Sequence, residues 1–403
     1  MVFVLKEPRN DSKGIVVFTH KERAFLDTDI VPLVRRLHTL KREYIVGMHW
    51  GMYTRDADPV PFVDFHLARP NTVQFTEPGE IRRIPLASYN FIPPRFRQFP
   101  SPTDWDICTV GHPTKRKRHS DLLRVVRQLY DQGLSPRVLV VAGKTGNDQL
   151  NVDETFFDMY HTQFTDTERH NIDLATPVRD DDLFPIPNQL FPYIYNASRV
   201  CALFSAEEGN PKTIHEALLC GTPVLVRDDM AGSGQDYLTV DNAAIVSDLD
   251  EATETMETML TAPNRYEFDP AALRTDICAE ETVPRLEAAL AEVFDDLGEP
   301  FEGPLRTTEL WKHLPSHHTS VPREFCRPYT SDLKSARATY EYLSHLLSYD
   351  PGAVAPLQIT ARTLLDPDLV KRKAGTLVKA TDDRTGLPLF DSVRSLYHRL
   401  QRL

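Results

Sequence analysis

Glu208 and Glu216 stand with seven residues between them, inside a pattern that gives the pair a shared location. An apolar run, Val200-Cys-Ala-Leu-Phe204, leads into Ser205-Ala-Glu-Glu-Gly-Asn-Pro-Lys212. A second run, Thr222-Pro-Val-Leu-Val226, leads away from Ala217-Leu-Leu-Cys-Gly221. The runs read as two parallel strands, and the segment between them as a helix whose first turn holds Pro211-Lys-Thr. Glu208 then sits at the C-terminal rim of a sheet, and Glu216 about two turns along the next helix. The helix start offers free backbone N–H groups to the same crevice. Two carboxylates beside a helix N-terminus can hold a polyhydroxy ligand by its hydroxyls while the helix end faces its negative charge. A βαβ unit whose glutamates are only solvated or capping would carry the same pair.

A cationic segment is the second candidate. Gly111-His-Pro-Thr-Lys-Arg-Lys-Arg118 follows a strand and precedes a helix. It can neutralise an anionic leaving group, or it can be a basic solvated loop. Ala142-Gly-Lys-Thr-Gly146 imitates a phosphate loop, but Val138 stands where that motif needs its first glycine. Asp-x-Asp doublets such as Asp56-Ala-Asp58 follow no convincing strand. The five cysteines are scattered and show no Cys-x-x-Cys spacing, so no zinc site is expected.

The elements that must position these residues alternate between strands and helices. Gly14–Phe18, a helix over Ile30–Leu40, Tyr44–Met48 and shorter strand-like runs to Leu86 predict a small α/β unit over residues 1–100. Pro-rich Phe91–Pro102 reads as the linker. Strands are expected at Trp105–Val110, Arg137–Ala142, Ile172–Ala175, Val200–Phe204, Thr222–Val226 and Ala243–Val246. Helices are expected from a cap at Ser120 or Asp121 to Gln132, then at Asn188–Ser198, Asp248–Leu260 and Glu281–Leu297. These imply a doubly wound parallel sheet over residues 101–298. Residues 299–403 carry only helical patterns, at Ser331–Tyr349, Asp366–Ala380 and Pro388–Leu403, and predict a helical extension. The apolar stripe of the last helix packs on the protein itself or lies peripherally on an anionic membrane.

Composition bounds the function. A hydrophobic content of 41% and 26% charged residues describe an ordinary globular chain. A net charge of −12 argues against a nucleic-acid backbone binder. The start Met-Val-Phe-Val-Leu-Lys lacks a signal-peptide pattern, and with unpaired cysteines it leads us to expect a cytoplasmic protein.

The order of strand, Glu208-Gly-Asn-Pro211, helix with Glu216-Ala217, then Gly221-Thr-Pro-Val224 resembles the donor site of GT-B glycosyltransferases, especially the retaining family 4 (glycosyl transferases group 1). Lys117-Arg118 before Asp121-Leu-Leu resembles that family's cationic segment, with Gly111-His112 where the family has Gly-Arg. The resemblance implies an α/β GT-B protein of two Rossmann-like doubly wound domains, the N-terminal one shortened. It implies transfer of a sugar from a nucleotide-diphosphate-sugar, UDP- or GDP-linked, to a glycan, lipid or protein acceptor, with retention and without a metal. Glu208, Lys117 and Arg118 would be catalytic. Glu216, Gly209, Asn210, Lys212, Gly111 and Val178 would bind the donor, Val178 at the base. No other cofactor is implied, and the nucleotide-sugar is a co-substrate. The first strand departs from the family, ending in Phe18-Thr-His-Lys-Glu-Arg23 without a Gly-Gly turn. A nucleotide-sugar epimerase or phosphorylase-like enzyme, or a scaffold that has lost transfer, is the competing reading.

Overall fold

Ile15-Val-Val-Phe18 and Ile45–Met48 are continuous apolar runs, the pattern of strands covered on both faces. The computed structural model describes residues 2–306, apart from 21–22, 27–30, 51–55, 70–72, 77–81, 144–151, 176–185, 187–188 and 210. Its first elements are β1 (Val2–Lys6), β2 (Gly14–Thr19), α1 (Arg23–Leu26), α2 (Val31–Glu43), β3 (Tyr44–His49), β4 (Asp56–Ala57), β5 (Phe65–Leu67), β6 (Gln74–Phe75) and β7 (Arg83–Ile84). Five of the strands form a sheet in the order β1-β2-β3-β5-β7, with β1 antiparallel at the edge and the other pairs parallel. β4 and β6 pair separately.

The second set begins with β8 (Trp105–Gly111), α3 (His119–Asp131), β9 (Val138–Ala142), α4 (Glu154–Thr162), α5 (Asp166–Arg169) and β10 (Ile172–Ala175). It continues through α6 (Phe191–Asn196), β11 (Ser198–Leu203), β12 (Glu207–Glu208), α7 (Lys212–Leu219), β13 (Val224–Arg227), β14 (Ala231–Gly232) and β15 (Ala243–Val246). Three helices close it: α8 (Leu249–Thr261), α9 (Ala271–Ile277) and α10 (Ala279–Asp296). Six strands make an all-parallel sheet ordered β10-β9-β8-β11-β13-β15. Successive strand residues point to opposite faces. Val200 and Ala202 therefore meet Leu122, Val126 and Met256 of α3 and α8. Cys201 and Leu203 meet Ile194 and Leu218 of α6 and α7. The chain is thus α/β, with two Rossmann-like sheets, the first mostly and the second entirely parallel.

The first sheet completes its cover with a helix from the far end of the described chain. Val16, Phe18, Val46 and Met48 pack on Leu37 and Leu40 of α2. Ile15, Val17, Ile45 and Phe65 face the other way, onto Leu286, Leu290 and Phe294 of α10. The segment after α10 continues across β1, where the Arg306 N–H donates to the Leu5 carbonyl at 2.7 Å. The fully buried Lys6 lies over the Phe294 ring and donates to Ser12 Oγ at 2.8 Å.

Several elements differ from expectation. β1 was not expected, because a short edge strand at a terminus offers no alternation long enough to read. α3 starts one or two residues before the expected cap, at His119, and its cap is Arg118 rather than Ser120 or Asp121. Asp153 instead accepts from the Ser120 N–H at 3.2 Å, serving as a cap from outside the helix. The expected helix at 188–198 is confined to Phe191–Asn196 among the described residues. α4, α5 and α9 were not expected. The linker is part of the core, with Ile92 and Phe96 fully buried. Residues 307–403, and with them the three C-terminal helices, lie outside the described residues.

Phe294→Ala removes a fully buried ring from the junction of α10 and the first sheet. It should cost about 3–5 kcal/mol in denaturant unfolding. Leu297→Ala, at a position 39% exposed, should stay within about 0.5 kcal/mol of wild type.

Candidate active site

The second sheet reverses its winding between β8 and β11. From β8 the chain steps outward to β9 and β10, then returns beside β8 as β11 and steps the other way to β13 and β15. Loops leaving the C-terminal ends of β8 and β11 therefore diverge, and a crevice opens between them. The loop after β8 carries Lys117 and Arg118, and the loop after β11 carries Glu208.

These loops meet through charge. Lys117 Nζ donates to Glu208 Oε1 in an ion pair whose side chains are only 12% and 6% exposed. Losing one partner of such a buried pair typically costs about 3–5 kcal/mol, because the other charge is left stranded. Arg118 forms a two-pronged contact with Asp229, at 2.9 and 2.7 Å. Its backbone is left-handed, with φ 49° and ψ 42°, a conformation uncommon for a side chain with a Cβ. That turn lets consecutive residues reach different carboxylates, and it starts α3 at the rim. Backbone bonds tie the loops together. The Ala206 N–H donates to the Arg116 carbonyl at 2.8 Å, and the Ala231 N–H to the Ala206 carbonyl at 2.8 Å.

Glu208 lies in β12, a two-residue strand paired in parallel with β14. Beyond it the Gly209 carbonyl accepts from Ser233 Oγ at 2.5 Å. Gly234 has φ +108°, and a Cβ there would come within 2.0 Å of Pro211 Cγ, so only glycine fits against this turn. The sequence placed Pro211 in the first turn of α7; it stands one residue earlier, at the cap, and Lys212 is the first helical residue. One turn later comes Glu216, 7% exposed, accepting from the Tyr195 hydroxyl at 3.1 Å. Burial pushes the Glu216 carboxyl up to about 7, against the opposing influence of Lys212, Tyr195 and Arg95. Burial likewise pushes the Lys212 ammonium down to about 7, with Glu216 opposing.

Among the sequence candidates, Lys117 and Glu208 are in direct contact, and Arg118 is the next residue on the same loop. Gly111 ends β8 beneath them, and Gly209 and Lys212 follow Glu208. Glu216 lies further down α7, on the Tyr195 side. Asn210 and Val178 lie outside the described residues. His119, Ser205 and Asp229 were missed by sequence reasoning. His119 is 2% exposed, and burial, with the Lys117 charge next, pushes its pKa down to about 4. Its Nε2 and the Ser205 Oγ are buried without a hydrogen-bond partner. Ser205 sits on the loop after β11, and His119 opens α3 directly after the loop that follows β8. Their position directly after Arg118 and directly after the β11 run was the available signal. A separate cavity of about 400 Å³, lined by Pro94, Arg95, Arg97, Phe99, Gln189, Pro192 and Tyr193, shares no residue with the crevice.

No protein-family model matches the chain. No curated protein matches it. Solved structures do. Sucrose-phosphate synthase from Thermosynechococcus elongatus is 17% identical, with 54% of each chain covered and a TM-score of 0.41. Anabaena HepE in complex with UDP is 12% identical, with 68% of this chain and 78% of that one covered and a TM-score of 0.49. The C-terminal domain of a glycosyl transferase group 1 family protein from Francisella tularensis is 15% identical, with 45% and 94% covered and a TM-score of 0.35. The chain spans between 54% and 60% of the length of three of the structures it matches. Among the described residues, no helix is long and apolar enough to cross a membrane.

A carboxyl whose pKa is raised on folding costs stability once it ionises, so the stability of wild type relative to Glu216→Gln should fall as pH rises from about 4.5 to about 7. Denaturant unfolding of both proteins across that range checks this, and an unchanging difference would contradict it.

Proposed function

We propose that this chain transfers a glycosyl group from a nucleotide-diphosphate-sugar to an acceptor. The carrying observation is the meeting of Lys117 with Glu208 in the crevice between β8 and β11. A cation, a carboxylate and two helix starts converge there, and a diphosphate leaving group needs cations and dipoles aimed at it. In this reading the bond between the sugar C1 and the diphosphate oxygen breaks, and a bond from C1 to an acceptor oxygen forms. The acceptor proton passes to the departing phosphate oxygen on the same face, giving retention.

Lys117 and Arg118 take the developing diphosphate charge, so no metal is assigned a role. Freed from Lys117, the Glu208 carboxylate binds a sugar hydroxyl and offsets positive charge at the ring. Glu216 accepts from ribose hydroxyls. Lys212, Gly111 and the backbone at Gly209 and Asn210 complete the donor contacts, and Val178 meets the base. The donor is UDP- or GDP-linked, and no other cofactor is assigned. The unit carrying the crevice is the donor side over residues 101–298, and residues 1–100 are the acceptor side. The pattern of family 4 glycosyltransferases in Glu208–Val224 supports the finer assignment. The acceptor is a glycan, lipid or protein.

A thermal-shift screen of UDP, GDP, ADP and their sugars tests the reading. At a hundredfold excess over Kd a ligand of the native state adds about 2.7 kcal/mol. One nucleotide should stabilise wild type and fail to stabilise Glu216→Ala. Cleavage of its sugar should be lost in Glu208→Gln. Stabilisation that persists in Glu216→Ala would overturn the donor site. A wild type that binds but never cleaves would identify a scaffold.

A further inference from the structure

Six residues far apart in the chain interlock between the two sheets. Arg69 follows β5, while Tyr89 and Asn90 lie in a short turn after β7. Opposite them are His215 of α7 and Asp236 and Tyr237, which follow β14. Arg69 Nη1 and Asn90 Nδ2 both donate to the Tyr237 hydroxyl, at 2.8 and 2.9 Å. The Tyr89 hydroxyl donates to Asp236 Oδ2 at 2.8 Å. The Arg69 guanidinium lies over the Tyr237 ring, 5.3 Å from its centre. The Tyr89 and His215 rings stack at 4.5 Å with only 6° between their planes. Tyr89, Asn90 and His215 have no exposed surface.

Both routes out of this cluster end on the Glu208 turn. Asp236 and Tyr237 lie two and three residues beyond Gly234, which packs on Pro211. The Ser233 N–H donates to the Glu208 carbonyl at 3.0 Å, and its hydroxyl to the Gly209 carbonyl at 2.5 Å. The second route runs through His215, whose Nδ1 lies 3.0 Å from the Pro211 carbonyl. One face of the cluster thus belongs to the first sheet, and the other grips the turn that holds Glu208 on both sides.

We infer that Arg69, Tyr89, Asn90, His215, Asp236 and Tyr237 form a clasp that fixes Glu208 relative to the first sheet. They are positioning residues, because their contacts reach the Glu208 turn through Ser233, Gly234 and Pro211. The catalytic consequence rests on the donor reading of the crevice. The mechanical consequence does not. A simple adhesive between two units would have no reason to converge on the turn between Glu208 and Pro211 from both sides.

Tyr237→Phe deletes the acceptor of both the Arg69 and Asn90 bonds while keeping the ring. Tyr89→Phe deletes only the bond to Asp236 and keeps the stack with His215, and it serves should the first variant fold poorly. Hydrogen exchange by mass spectrometry should show faster exchange in peptides covering Glu208–Gly209 and Ser233, with β9 and α3 unchanged. With the nucleotide-sugar that wild type cleaves, kcat should fall about tenfold while Kd for the free nucleoside diphosphate holds within about twofold. Unchanged exchange at the Glu208 turn, or exchange rising equally everywhere, would overturn the clasp. Faster exchange at the turn in a protein whose wild type cleaves no nucleotide-sugar would uphold the clasp and refute the donor reading.

Discussion

β8 and β11 lie side by side although two strands and four helices separate them along the chain. A parallel sheet that winds one way and then the other must bring such a pair together. Their loops then leave in opposite directions, because each must reach its own next helix. The gap between those loops is a geometric consequence of the strand order and needs no special residues to exist. What this sequence adds is chemistry on both lips of the gap. α3 and α7 both start there, Lys117 and Arg118 stand on one lip, and Glu208 stands on the other.

Charge is arranged in that gap so that Lys117 and Arg118 each already have a partner. Glu208 holds Lys117, and Asp229 holds Arg118. The two pairs are unequal. Asp229 is 43% exposed, and such a surface pair contributes about 0–1 kcal/mol, so Arg118 can exchange partners at little cost. The Lys117–Glu208 pair is buried, and its exchange requires an anion that replaces the carboxylate while the carboxylate finds hydroxyl donors. A sugar joined to a diphosphate brings both groups at once. This is why the pairing and the proposed substrate class fit each other.

The sequence exposed those parts of the molecule that rest on local periodicity. Runs such as Val200–Phe204 and Ala243–Val246 predicted strands, and the helix start at Pro211 followed from strand, turn and proline together. The Glu208–Glu216 spacing was readable because one strand-to-helix connection carries both residues. Features built from distant residues were not readable. β12 and β14 are two residues each, too short for any period, yet their pairing holds Glu208 in place. Arg118 caps α3 through a left-handed turn that its residue type does not announce. Tyr89 and His215 are ordinary in sequence and meet only because β7 and α7 face each other across the two sheets. Cover of the first sheet by α10 was likewise invisible, since an amphipathic helix does not state which core it completes.

A crystal structure with the best-stabilising nucleoside diphosphate from UDP, GDP and ADP tests the central claim most directly. The account predicts the diphosphate between the loops after β8 and β11, with Lys117 turned from Glu208 to a phosphate oxygen and the ribose hydroxyls on Glu216. A nucleotide bound elsewhere, with Lys117 still paired to Glu208, would contradict it.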